Sequence, residues 1–156
     1  MITLKRAYEP AASGGGKRFL VERLWPRGVR KTSLEIDGWL KEASPSSELR
    51  RWFSHDPAKW PEFRHRYFRE LDVNPQAWQT IFDAAAGGGK VTLIYSSHDT
   101  EHNNAVALRD YLEKKLEKHR TALRKSDDTP NVRDLGSDSM NSLPDRSWKS
   151  RPKIPL

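Results

Sequence analysis

Apolar positions along the chain fall into short runs whose spacing changes from one stretch to the next. Met1 to Arg6 alternates apolar and polar side chains and predicts a short strand. After the turn Ser13-Gly14-Gly15-Gly16, Arg18 to Leu24 predicts a second strand. The unbroken Phe19-Leu20-Val21 within it predicts burial on both faces, as parallel or central strands require. Residues 32–43 read two ways: Ile36, Trp39 and Leu40 fit one helical face, whereas Gly38 favours an extended path. Ser46-Ser47-Glu48 supplies a helix cap and an early acid ahead of Leu49, Trp52 and Phe53. Asp56-Pro57 starts the next helix, with Trp60, Phe63, Tyr67 and Leu71 on its core face. Asn74-Pro75 opens a third, with Trp78, Ile81, Phe82 and Ala85 inward and Gly87-Gly88-Gly89 at its end. Val91 to Tyr95 predicts a strand, Ser96 to Thr100 a polar loop, and about Glu101 to Lys118 a last helix.

This order of elements predicts an α/β layered fold over residues 1–118, with a short, mostly parallel sheet flanked by helices. Beyond about residue 119, Ser, Asp, Asn, Pro and basic residues dominate and apolar ones are isolated. Such a stretch cannot bury enough surface to fold alone. Residues 119–156 are therefore expected to be an irregular basic extension, disordered or docked on the domain through Trp148 and the terminal Lys153-Ile154-Pro155-Leu156.

Composition sharpens this picture in a few places. With 35% hydrophobic residues among 156, the chain supports one modest core. Five of its six tryptophans lie between residues 25 and 78 and are read mainly as core filling, leaving one or two for ligand stacking. The absence of cysteine excludes disulfides, thiolate metal sites and cysteine nucleophiles. The start Met1-Ile2-Thr3-Leu4-Lys5 lacks the apolar stretch of a signal peptide, and no run reaches transmembrane length, so a cytoplasmic protein without membrane contact is expected. The net charge of +7 suits anionic partners, and it concentrates at Lys17, Arg18, Arg23, Arg27, Arg30 and Lys31 against the single acid Glu22. That local concentration favours an anion site over a uniformly basic nucleic-acid surface.

Three ordered motifs carry a family resemblance: Val21-Glu22-Arg23-Leu24-Trp25-Pro26-Arg27-Gly28, the S-x-x-L-R-x-W-F-x-H-D-P run from Ser46 to Pro57, and Val91 to Tyr95 followed by Asp99 and Asn103. Over roughly residues 1–116 the chain resembles the DUF488 family, in its cysteine-free YeaO-like branch. The resemblance implies a small α/β fold of a bacterial and archaeal type and brings no biochemical activity with it. Methyltransferase-type names attached to some members find no support here, since no G-x-G-x-x-G loop follows a strand. No cofactor is expected.

The residues themselves suggest a site. Open α/β sheets bind ligands beyond the carboxyl ends of their strands. Arg23 and Arg27 flank Trp25-Pro26 in a stiff loop at such an end and are expected to converge on a phosphate or carboxylate; the alternative is an ion pair with an acid such as Asp37 or Asp99. Ser46 and Arg50, on the first turns of a helix, join the ligand-binding set, Ser46 reading first as a simple cap. His55 and Asp99 are the candidate acid/base groups, against a backbone-bonded histidine and a helix-approach cap. His102 and Asn103 complete the ligand set from the loop after Tyr95. The H-x-x-E-H match of His98 to His102 is read as accidental, because His98 precedes the helix that a zinc site of that kind requires. Two functions are therefore open: a small-molecule site for an anion, with or without catalysis, or a non-catalytic nucleic-acid or protein-interaction role for the basic loop and tail.

Overall fold

A computed structural model describes residues 1–10 and 14–128. Ser13 of the predicted glycine turn, and the tail anchors Trp148 and Lys153 to Leu156, lie outside the described residues.

The sheet contains β1 (Ile2–Arg6), β2 (Lys17–Leu20), β3 (Gly38–Trp39) and β4 (Val91–Tyr95) in the order β1-β4-β2-β3. Every pairing is parallel, with Leu4 opposite Leu93 and Phe19 opposite Leu93 on the two sides of β4. β4 is thus central, which explains why Val91, Leu93, Ile94 and Tyr95 are all buried. The Phe19-Leu20-Val21 run is buried on both faces as its pattern predicts. Phe19 and Val21 join the larger core cluster, and Leu20 points into a smaller one with Ala7 and Ile94.

Among the described residues the α-helices are α1 (Ser47–Phe53), α2 (Trp60–Val73) and α3 (Gln79–Ala86), between β3 and β4, and α4 (Asn104–Asp127) after β4. Each contributes to the same large cluster, through Leu49 and Phe53, Phe63 and Tyr67, Ile81 and Ala85, and Ala105, Leu108 and Leu112. Alternate sheet residues Ile2, Val91, Leu93 and Tyr95 meet them there. The helices therefore share one face of the sheet. The other face is closed by Trp25, Leu34, Ile36 and Trp39 from the segment between β2 and the first helix. The ambiguous stretch 32–43 resolves as the two-residue β3 and a single 3-10 turn, Lys41–Ala43. Gly38, beside the Phe19 ring, is where it pairs.

Ser46 caps α1 as the sequence predicts, whereas Asp56-Pro57 and Asn74-Pro75 open the 3-10 turns Pro57–Lys59 and Pro75–Ala77 ahead of α2 and α3, Asn74 without a side-chain cap. The Ser46 hydroxyl accepts from the Leu49 amide at 3.2 Å, and the Asp56 carboxylate from the Ala58 amide at 3.0 Å. The last helix differs from expectation at both ends. It begins at Asn104 rather than Glu101, because residues 99–103 form a capping loop, and it runs on to Asp127. Residues 119–127 are consequently helical instead of irregular: Lys, Arg, Ala and Leu are good helix formers, and no glycine or proline interrupts them. The first compact unit spans Met1–Arg120. Among the described residues no helix is long and apolar enough to cross a membrane.

Candidate functional site

The carboxyl ends of β2 and β4 lie side by side, and the chain leaving each forms one wall of a cleft of about 920 Å³. Glu22 leaves β2, Ser96 to Asp99 leave β4, and α1 with its C-terminal turn supplies Arg50, Arg51, Ser54 and His55. Phe53, Phe63, Pro45 and Leu24 add apolar surface.

Glu22 is the least expected member. It is only 6% exposed, and its Oε1 accepts the Ser96 amide at 3.0 Å. Burial pushes its carboxyl above the ordinary range, opposed by the Ser96 amide, the Arg50 charge, the Ser96 side chain and the His55 charge. Because its folded-state pKa is raised, the folded protein holds this proton more tightly than the unfolded chain. Stability therefore falls as pH rises from the ordinary 4.5 through the raised value, and the penalty persists above it. Glu22→Gln keeps an acceptor for Ser96 and removes the buried charge. The melting temperature of this variant relative to the native protein is expected to increase between about pH 4 and about pH 7. A difference that stays flat or reverses contradicts the assignment.

Arg50 reaches the cleft because α1 is anchored at its start. Both the amide and hydroxyl of Ser46 donate to Glu70, at 2.8 and 2.6 Å, from the facing helix α2. At its other end α1 stops in an unusual way: Ser54 and His55 both adopt left-handed backbone, with φ of 48° and 56°. Two successive non-glycine residues in this region carry strain on the order of 1–2 kcal/mol each, a feature that clusters at ligand sites. The turn sets His55 on the cleft wall, its ring 6.3 Å from that of Phe53.

The loop after β4 is capped from within. Asp99 Oδ1 accepts the amides of Glu101 and His102, both at 2.9 Å, and its Oδ2 lies 3.0 Å from His102 Nδ1. The His102 amide, then that of Glu101, hold its carboxyl below the ordinary range. Asn103, 3% exposed, is the N-cap of α4: its Oδ1 accepts the Val106 amide at 3.0 Å while its Nδ2 donates to Asp99 O at 2.9 Å. Asn104 Nδ2 donates to Val21 O at 2.6 Å and ties this helix start to β2. Asn103→Ala is expected to lower unfolding free energy by about 1–2 kcal/mol, the worth of a buried cap; urea denaturation measures it.

Arg50, His55, Asp99, His102 and Asn103 thus line one cleft, although Asp99 and Asn103 spend their polar atoms on the loop itself. Arg23, Trp25, Arg27 and Ser46 do not line it. Arg23 turns onto the carbonyls of Pro45 and Ser44, at 3.3 and 3.5 Å, with Glu42 at 3.8 Å. Neither Asp37 nor Asp99 is its partner; Asp37 accepts the Arg18 amide at 2.8 Å. Arg27 is exposed beyond Pro26, and its carbonyl accepts from the Tyr8 hydroxyl at 3.0 Å. Trp25 packs edge-on against Trp39 at 5.3 Å and donates to Val29 O at 2.6 Å, which makes it core. Ser46 is held by Glu70. The two guanidinium groups of the β2 loop therefore do not converge, and the positive charge of the cleft comes from Arg50 and Arg51. His98 Nδ1 sits 3.3 Å from Arg6 Nη2 and His102 turns to Asp99, so the H-x-x-E-H histidines have separate partners.

The chain matches the family model described as the inactive DUF488-N3 subclade over residues 1–131. It belongs to this family. It is 42% identical over 111 residues to the uncharacterized protein YeaO of Escherichia coli K12, covering 71% of this chain and 96% of that protein. It is 41% identical over 111 residues to the uncharacterized proteins Rv3073c of Mycobacterium tuberculosis H37Rv and Mb3100c of Mycobacterium bovis, covering 71% of this chain and 92% of each. No solved structure matches it. The strand-end cleft lies wholly within the matched residues.

Proposed function

We propose that this chain is a binding protein whose strand-end cleft holds a small anionic molecule, a phosphate or carboxylate, without transforming it. The observation that carries this reading is the placement of Arg50, beside Arg51 and His55, on the wall of a cleft at the carboxyl ends of two parallel strands. A guanidinium offers a carboxylate or phosphate two parallel donors. Binding is favoured over catalysis on two grounds. Asp99, one of the two acid/base candidates with His55, has its oxygens occupied by two amides and a histidine. The family is also described as inactive. A nucleic-acid surface on the basic stretch 17–31 is less well supported, since Arg18 pairs with Glu35 at 3.3 Å and Arg23 is turned inward.

Isothermal titration with inorganic phosphate tests the reading. Arg50→Ala is expected to weaken binding about 10- to 100-fold, the equivalent of about 1.5–3 kcal/mol for a charged hydrogen bond. Arg27→Ala, on the exposed loop, is expected to leave it within about twofold. Affinity that survives at Arg50→Ala, or disappears at Arg27→Ala, overturns the assignment.

A further inference from the structure

Glu22 sets a condition on the ligand that an anion alone does not meet. A carboxylate offers about four lone-pair positions, and the Ser96 amide uses one. Among the described residues no cation lies within ion-pair distance of it. A carboxyl this deep, 6% exposed, costs stability unless donors surround it, and among the described residues Ser96 is the one that donates to it. A bare phosphate entering the same cleft would bring a second negative charge toward it. The fitting ligand therefore carries its own hydrogen-bond donors as well as an anion.

Two further observations narrow the chemistry. An ammonium donor would be repelled by Arg50 and Arg51, which share the cleft; neutral hydroxyls would not. The cleft volume of about 920 Å³ is that of a whole small-molecule site rather than of one anion. The neutral polar side chains of Ser96 and Ser97 line the same cleft, with the edges of the buried Phe53 and Phe63 rings beneath it.

Building on the anion-binding reading above, we propose that the cleft takes a phosphorylated polyol, whose hydroxyls donate to Glu22 while its phosphate lies on Arg50 and Arg51. The pairing gives selectivity as well as affinity, because a polar site rejects an analogue that leaves its buried acceptor unpaired.

Titration calorimetry on the full-length chain separates the proposal from the reading beneath it. The probes are inorganic phosphate, glycerol 3-phosphate, ribose 5-phosphate and glucose 6-phosphate. At least one ester is expected to bind about tenfold or more tighter than inorganic phosphate. Glu22→Gln is expected to bring that ratio close to one, and Arg50→Ala to weaken phosphate and ester together. Glu22→Asp, which keeps the charge and withdraws it from the cleft, is expected to reduce the ratio too; it serves as the second variant if the glutamine form does not fold by circular dichroism. Phosphate bound as well as every ester, or a ratio unchanged in both Glu22 variants, overturns the proposal and leaves simple anion binding standing. No binding of phosphate or of any ester overturns both.

Discussion

Replacing Phe63 with alanine is expected to lower the unfolding free energy by about 3–5 kcal/mol. Phe63 is 2% exposed and stacks on Phe53 at 4.3 Å and on Trp60 at 5.6 Å, with Tyr67 at 5.9 Å. Its ring joins the core cluster and also lines the cleft. Truncation removes the buried surface of the ring and leaves a cavity that three fixed aromatic neighbours close poorly. For a domain with an ordinary margin of stability, this loss is a large fraction of the whole. Equilibrium denaturation in urea is the measurement. A loss under about 1 kcal/mol would show that the cleft floor is loosely packed and that its shape is not set by this aromatic stack.

The second large effect is at Glu70. Its carboxylate accepts both the amide and the hydroxyl of Ser46, the cap of α1. Glu70→Ala leaves two donors at a half-buried position without their charged acceptor, and about 2 kcal/mol of stability is expected to go with it. The consequence for the cleft is more informative than the number. α1 has only seven residues, so Arg50 and the left-handed turn at Ser54 and His55 depend on how its start is held. Phosphate affinity is expected to fall along with stability, although Glu70 does not line the cleft. Native affinity in a destabilised Glu70→Ala protein would show that α1 is positioned by Leu49 and Phe53 alone.

Much of the architecture was legible in the sequence because local and global signals agree. Ser46 caps α1 and the Phe63, Tyr67, Leu71 stripe is buried as read, whereas Asp56 caps a 3-10 turn, Pro57–Lys59, and the helix proper starts at Trp60. The lining of the candidate cleft was legible in part. Arg50, His55, Asp99, His102 and Asn103 lie on elements whose ends the pattern located, and the parallel order of β2 and β4 brings those ends together. What could not be read was the direction of a side chain within a loop. Arg23 and Arg27 sit beyond a strand end as predicted, but the segment after β2 folds over the far face of the sheet to bury Trp25 and Trp39. That burial carries Arg27 outward and leaves Arg23 beside the Ser44 and Pro45 carbonyls. Glu22 was missed for the converse reason. In a basic stretch a single acid reads as a neutralising charge, whereas its burial follows from the pairing of Val21 with Ile94, which directs the next residue under Ser96. The one available signal was an acid directly after a doubly buried apolar run. Helical residues 119–127 were missed because composition was averaged over a longer polar stretch.

The central claim is that the anion site lies at the strand-end cleft and not at the basic loop between β2 and β3. Backbone amide shifts recorded during a phosphate titration test it most directly. The account predicts that the shifts concentrate at residues 47–55 and 96–104 while those of residues 25–31 stay still. Shifts centred on Arg27 and Arg30, with the cleft residues unmoved, would contradict it.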